Sequence, residues 1–260
     1  YKPNIIFKGK EPIDFSCVEL TQFSDYEAKN FDSISQVLEE YYASKNVYTR
    51  IRQKSVDLRK IVSTALDRNR KKYQLQEKQL KDTEKRDRYK VYGELIHTYG
   101  YGLAEGAKEL DALNYYTNEM IKIPLDPMLD AKANAQKYFD KYNKLKRTYE
   151  ALTDLTAETR AEIEHLESIA TSLDIALTED DLVQIKEELI EYGYIRRKRT
   201  DKKAKSKSKP FHYRSSDGYD IYVGKNNYQN EELTFKFATG NDWWFHAKGM
   251  PGSHVIVKSG

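Results

Sequence analysis

Cysteine is nearly absent: Cys17 is the one thiol in 260 residues. A lone thiol excludes an internal disulfide and fits a reducing compartment. Its expected role is that of a small buried hydrophobe rather than a nucleophile. Long apolar runs are missing as well. Nothing approaches the roughly 18 consecutive apolar residues that cross a bilayer, and no signal peptide is in view. Proline and glycine are sparse, at six and twelve, and neither occurs between residues 46 and 92. Apolar residues make up only 39% of the chain against 33% charged. That balance is too polar for one compact globule and suits long helices with two wet faces. The chain starts at Tyr1 without a methionine and stops at Lys-Ser-Gly just past a strand-like run. It reads as a piece of a longer protein.

Neither sign of charge dominates overall, since the net charge is +3. Locally the balance is lopsided. Arg196, Arg197, Lys198, Arg199, Lys202, Lys203, Lys205, Lys207 and Lys209 stand against Asp201 alone, which leaves the rest of the chain net acidic. A basic run on a mildly acidic body points to one polyanion-contacting region. The alternative is a solvated, serine-containing linker kept soluble by lysine.

What the chain does contain is helical periodicity. Residues 1–30 read as irregular and strand-rich, with strands at Asn4–Phe7 and Val18–Leu20 punctuated by Pro3 and Pro12. A helix starting near Phe31, capped by Asp25 or Asn30, covers Ile34, Val37, Leu38 and Tyr41. Helical sequence then resumes for about fifty residues, Asn46 to His97, with an apolar seam at Ile51, Leu58, Val62, Ala65 and Leu66. Its partner strip is Tyr142, Leu145, Tyr149, Leu152, Thr156, Thr159, Ile163, Leu166, Ala170 and Leu173, which step by threes and fours. Thr156 and Thr159 form the weak layer. The short connection makes the two helices antiparallel, an intramolecular hairpin rather than a homodimeric zipper. The connecting tip, about 93–132, holds a β-hairpin with its turn at Thr117-Asn118-Glu119. Tyr115 and Tyr116 sit there as cap core or as a partner-docking surface, with at least one of them expected in the core. Thr178-Glu-Asp-Asp opens a short helix with a capping-box pattern, ended by Gly193.

The last segment carries the chemistry. Both tryptophans, Trp243 and Trp244, lie beside His246 and His254, with Lys225, Asn226, Asn227, Gln229 and Asn230 just upstream. Strands are expected at 211–214, 221–223, 243–246 and 254–257, with a helix between Asn230 and Phe237. Aromatic planes, amide edges and basic groups together are what an RNA-reading surface needs. Adjacent tryptophans in a strand face opposite ways, so one is free to stack on a base while the other is core; the competing reading buries both. His246 and His254 fit phosphate contact or a structural hydrogen bond. With no cysteines beside them they make no metal site. Pro251-Gly252-Ser253 offers backbone N–H groups as an anion nest or is simply a turn. Lys225-Asn226-Asn227 is the leading polar candidate for phosphates and base edges. Lys248 and Ser253 complete the set. Asp154, Glu158, Glu162 and Glu164 read as a solvated helix face, not a catalytic pair, and no cofactor is expected.

At this point the motifs resemble a family. The stretches DGYDIYVGKNN, QNEELTFKFA and DWWFHAKGMPGSHV are similar to the RNA-binding module of the NFACT (RqcH/NEMF) family, whose bacterial members are often labelled fibronectin- or fibrinogen-binding proteins. Upstream, Gly93-Glu94-Leu95, Asn114-Tyr115-Tyr116, Ile123-Pro124-Leu125-Asp126, Asn134 to Phe139 and Lys144-Leu145-Lys146 resemble its middle coiled-coil domain. The resemblance implies a mainly α fold: residues 1–45 as the tail of a preceding region, 46–195 as the coiled-coil domain, 196–210 as a basic linker and 211–260 as the start of an α+β, β-rich RNA-binding module. It implies a cytoplasmic factor that is not itself an enzyme. Its implied partners are tRNA and large ribosomal subunits obstructed after stalling, contacted on rRNA and ribosomal protein near the stalk base. There it supports template-free alanine tailing of the nascent chain. The family's tRNA-engaging Asp-Arg pair belongs to an N-terminal domain outside this sequence. The alternative is a surface adhesin for fibronectin or fibrinogen.

Overall fold

A computed structural model describes residues 1–197 and 206–259. The chain divides into two compact units, one of Tyr1–Asp67 with Glu164–Gly260 and the other of Arg68–Ile163.

In the first unit, a three-stranded antiparallel sheet opens the chain: β1 (Asn4–Lys8), β2 (Glu11–Ser16) and β3 (Glu27–Asn30), in the order β2-β1-β3. Pro12 sits in β2 opposite Phe7, just past a register shift. An edge strand tolerates it because no ladder N–H is needed on that side. Val18–Leu20 forms no strand, and Val18 is exposed. Cys17 is also exposed, against the expectation of a buried thiol. Helix α1 (Ile34–Lys54) is capped by Ser33, whose Oγ accepts from the Gln36 N–H at 3.3 Å. Asp25 and Asn30, the expected caps, lie too far upstream. α1 runs unbroken through the boundary expected at 45/46.

The fifty-residue helix expected over 46–97 is instead shared among α1, α2 (Val56–Asp82) and α3 (Arg86–Tyr99). The interruptions fall at Ser55 and at Thr83–Lys85. Both Ser55 and Thr83 are buried, and each donates its hydroxyl to a carbonyl three residues back, Arg52 and Leu80. Such side-chain bonds compete with the helical ladder, and neither residue type signals a break in sequence.

Helix α4 (Ala131–Ile175) has 45 residues, about 68 Å at 1.5 Å per residue. Within the second unit it lies antiparallel to α2. Asn69 donates to Glu162 at 3.0 Å and Gln76 donates to the Leu155 carbonyl at 3.5 Å, so residue numbers rise on one helix as they fall on the other. In the first unit, Arg59 on α2 donates to the Leu173 carbonyl of α4 at 2.8 Å. The a/d strip holds: Thr159, Leu166 and Leu173 are buried, and Tyr142, Leu145, Leu152, Thr156, Ile163 and Ala170 are half-buried. Tyr149 departs from it. It is exposed, and the Arg86 guanidinium covers its ring at 4.1 Å. The threonine layer is weak as expected, since buried Thr156 Oγ1 and Gln76 Oε1 have no hydrogen-bond partner.

The tip in the second unit is a folded cap. Strands β4 (Glu109–Asn114) and β5 (Glu119–Pro124) pair antiparallel around a turn in which Asn118 takes φ 56°. Leu95, Ile96, Leu110, Ala112, Ile123, Ala135 and Tyr138 form its core. A Cβ on Gly93 would meet the Phe139 ring at 2.8 Å, so glycine permits that approach.

Past α4, helix α5 (Glu179–Glu191) begins with the expected capping box of Thr178 and Asp181. The final segment, also in the first unit, is a four-stranded antiparallel sheet of order β6-β7-β9-β8: β6 (Phe211–Arg214), β7 (Asp220–Val223), β8 (Trp243–Phe245) and β9 (Val255–Val257). Helix α6 (Asn227–Glu232), capped by Asn226, runs into a π-helical turn at Leu233–Phe237. No helix among the described residues is long and apolar enough to cross a membrane.

Candidate nucleic-acid interface

The predicted site residues from Lys225 onward separate into two places. Lys225, Asn226 and Asn227 lie in a joint between the C-terminal segment and α5, not on an open surface. Lys225 Nζ pairs with Asp181 Oδ1 at 3.1 Å, and the two side chains are 11% and 1% exposed. Asn226 is buried and donates to Gln184 while its own oxygen caps α6 at the Gln229 N–H, 3.0 Å away. Asn227 donates to Glu188 at 2.6 Å and to Ser168 at 2.8 Å. Gln229 is also buried and donates to Gln184 and Ser208. Buried amides of this kind are stable only when hydrogen-bonded, and these bond to one another's elements. The cluster expected to read RNA therefore fastens the segment to α5.

Asp181 is the centre of the joint. Its Oδ2 accepts the N–H groups of Leu177 and Thr178 at 2.9 and 3.0 Å, and its Oδ1 accepts from Ser208 and Lys225. Burial alone would raise its pKa. The Ser208 hydroxyl, the Leu177 N–H and the Lys225 ammonium outweigh burial and hold the carboxyl below its ordinary value.

The basic run is only partly in view. Arg196 is exposed. Arg197 pairs with Glu187 on α5 and is committed within the chain. Ser206 and Ser208 bond to Asp180 and Asp181, so the described end of this stretch is anchored to α5 rather than a free linker. Lys198, Arg199, Lys202 and Lys203 lie outside the described residues.

The second place is the sheet and its β8–β9 loop. As the strand geometry requires, the two tryptophans face opposite ways. Trp243 lies in the row Tyr213, Ile221, Val257, Trp243, beside the row Phe211, Val223, Val255, Phe245. That face is built of aromatic and aliphatic side chains, with Tyr213, Trp243 and Phe245 more than half exposed. Trp244 shares the other face with Ile256, Tyr222 and His212. It is 49% exposed, so neither tryptophan is core.

Around Trp244 the structure assembles groups that are distant in sequence. His246 stacks on its ring at 6.0 Å between centroids, His254 meets it edge-on at 5.2 Å, and the two imidazoles are 4.9 Å apart. Trp244 Nε1 donates to Thr234 Oγ1 at 3.1 Å, and Thr234 Oγ1 lies 2.7 Å from His254 Nδ1. Asn230, itself buried, holds the loop: its oxygen accepts the His254 N–H at 2.9 Å and its amide donates to the Gly252 carbonyl at 3.2 Å. Asn230 thus takes a carbonyl of the Pro251-Gly252-Ser253 turn and the N–H that follows it, and leaves the turn's own N–H groups uninvolved in these two bonds. Burial, and then the neighbouring His246, press the His254 pKa below its usual value. Lys248 is exposed in the same loop and Ser253 is half-buried. No group of three or more potential ligands is arranged for a metal ion among the described residues. Thr234 and Asn230 organise the cluster, and only Asn230 carried a sequence signal, as part of the amide-rich stretch.

At the tip, Tyr115 and Tyr116 are both exposed, so the expectation that one is core fails. Their rings lie 4.7 Å apart. Tyr116 donates its hydroxyl to Glu94 at 2.9 Å, and that bond pushes its pKa up to about 12.

Known proteins resemble this chain along nearly its whole length. Residues 1–208 match the family model of NFACT N-terminal and middle domains, and residues 209–260 match that of the NFACT protein RNA binding domain. The chain is 42% identical over 247 residues to the Rqc2 homolog RqcH of Streptococcus pneumoniae serotype 2 (strain D39 / NCTC 7466), covering 93% of this chain and 44% of that protein. It is 37% identical over 265 residues to the Rqc2 homolog RqcH of Bacillus subtilis (strain 168), covering 99% and 45%. The chain thus spans less than half the length of these relatives. A solved structure of the C-terminal part of the fibronectin/fibrinogen-binding protein from Streptococcus suis matches with TM-score 0.58 and 38% identity, over 81% of this chain and 71% of that one.

Proposed function

This chain belongs to the NFACT family, and on that premise we propose that it is the arm and the opening of the RNA-binding module of a ribosome quality-control factor. In the longer protein these parts engage large ribosomal subunits obstructed by peptidyl-tRNA, together with tRNA, in the cytoplasm. The factor supports template-free alanine addition to the stalled nascent chain. Peptide-bond chemistry stays with the ribosome, so the factor is not an enzyme. The observation that carries this reading is that similarity to RqcH proteins takes in arm and module alike, over 93% and 99% of the chain in two relatives. Exposed Trp244 and His246, with half-buried His254 beside them, support it as an RNA-facing surface, since an aromatic plane flanked by polar groups accepts a base and its backbone. The exposed Tyr115–Tyr116 pair offers the arm a second contact near the stalk base.

A second reading comes from the name of the Streptococcus suis structure, a fibronectin/fibrinogen-binding protein. The ribosomal reading has a direct test. Purified obstructed large subunits are supplied with alanyl-tRNA and the full-length protein, and the nascent chain is weighed by mass spectrometry. A ladder of alanine increments that depends on the protein is expected. An unextended chain on subunits that carry the bound protein would contradict the tailing activity.

A further inference from the structure

We propose that Thr234 is a positioning residue that sets His254 as a hydrogen-bond donor to a phosphate oxygen of single-stranded RNA lying across Trp244. The inference rests on the RNA-facing reading of this cluster and deepens it.

The argument is one of proton placement. An indole N–H only donates, so the 3.1 Å contact from Trp244 Nε1 occupies a lone pair of Thr234 Oγ1. The threonine hydroxyl has one proton of its own, and His254 Nδ1 is the acceptor within reach at 2.7 Å. With Nδ1 accepting, the neutral imidazole carries its proton on Nε2. The relay Trp244 to Thr234 to His254 therefore fixes one tautomer and leaves the Nε2–H as a donor that the relay does not use. Asn230 fixes the backbone beneath it by accepting the His254 N–H. Gly224 makes room for that amide, since a Cβ there would come within 2.0 Å of Asn230 Oδ1. Burial and the nearby His246 both disfavour a charge on His254, so it acts as a neutral donor. Exposed Lys248 in the same loop supplies the positive charge that draws a phosphate, and the Trp244 ring supplies a stacking plane open to any base. A phosphate contact made this way carries no sequence information.

The test uses Thr234→Val, which keeps the shape and removes the relay, and Thr234→Ser, which restores the hydroxyl. Histidine nitrogen chemical shifts of this chain report the His254 tautomer, and fluorescence anisotropy reports binding to labelled oligouridine and oligoadenosine. The wild type is expected to show the Nε2–H tautomer. Thr234→Val is expected to lose that preference and to bind both oligonucleotides about three- to tenfold more weakly, the effect of one lost hydrogen bond. Thr234→Ser is expected to regain both properties. A wild-type His254 protonated on Nδ1, or an affinity loss with an unmoved tautomer, overturns the relay. A shifted tautomer with unchanged affinity overturns the RNA role of His254 while wild-type binding to the same oligonucleotides keeps the broader reading. A loss confined to one sequence overturns the phosphate assignment. A wild type that binds neither oligonucleotide overturns the proposal together with the RNA reading beneath it.

Discussion

Asp181→Ala is expected to cost the chain about 3–5 kcal/mol of stability, the effect of breaking a buried ion pair from one side. The substitution strands Lys225, whose side chain is only 11% exposed. It also leaves the Leu177 and Thr178 N–H groups at the start of α5 without their acceptor. Asp181→Asn keeps an acceptor for those groups and is expected to lose less. Both tryptophans lie in the segment that the joint fastens, so their fluorescence during urea unfolding reads the effect directly. The joint also predicts an acid limb. Because the folded pKa of Asp181 lies below its ordinary value, the pair's contribution is present above the unfolded-state pKa, about 3.9. It is lost as pH falls from there through the depressed folded value. The Asn variant should be flatter over that window. An Asp181→Ala protein with an unchanged urea midpoint would show that the buried network does not hold the segment to α5.

Trp244→Ala is expected to weaken RNA binding by about 1–3 kcal/mol, the range for removing one aromatic stacking partner. That is about five- to 150-fold in affinity. Trp243→Ala on the opposite face is expected to do much less, because the row it shares with Tyr213, Ile221 and Val257 holds no histidine pair and no threonine relay. Trp244→Phe separates two contributions: it keeps a ring plane and removes the N–H that Thr234 accepts. Anisotropy titrations with oligouridine distinguish the three variants. Equal losses at Trp243 and Trp244 would place the RNA on both faces and contradict the assignment to the Trp244 cluster.

These effects differ in how visible they were before the fold was known. The α4 strip was legible because threes and fours in apolar residues leave one continuous stripe, and the buried Thr159, Leu166 and Leu173 follow it. The helix breaks at Ser55 and Thr83 were not, because serine and threonine hydroxyls turn back to carbonyls inside the unbroken α4 as well, at Thr159, Ser168 and Ser172. The strands of the last segment were legible from their β-branched and aromatic residues, and so was the opposite placement of Trp243 and Trp244. The destination of Lys225, Asn226 and Asn227 was hidden for a different reason. An amide suits a wet surface and a buried network equally well, and only the presence of Asp181, Gln184 and Glu188 opposite decides between them. Thr234 carried no signal at all, since its role comes from contact with side chains ten and twenty residues away.

The most direct test of the central claim is sedimentation of the full-length protein through a sucrose gradient with purified large subunits, obstructed or empty, at rising salt. Co-migration with obstructed subunits is expected. It should weaken as salt rises, because phosphate contacts release counterions, and it should be reduced by Trp244→Ala. A protein that stays at the top of the gradient at low salt while binding immobilised fibronectin would contradict the ribosomal account.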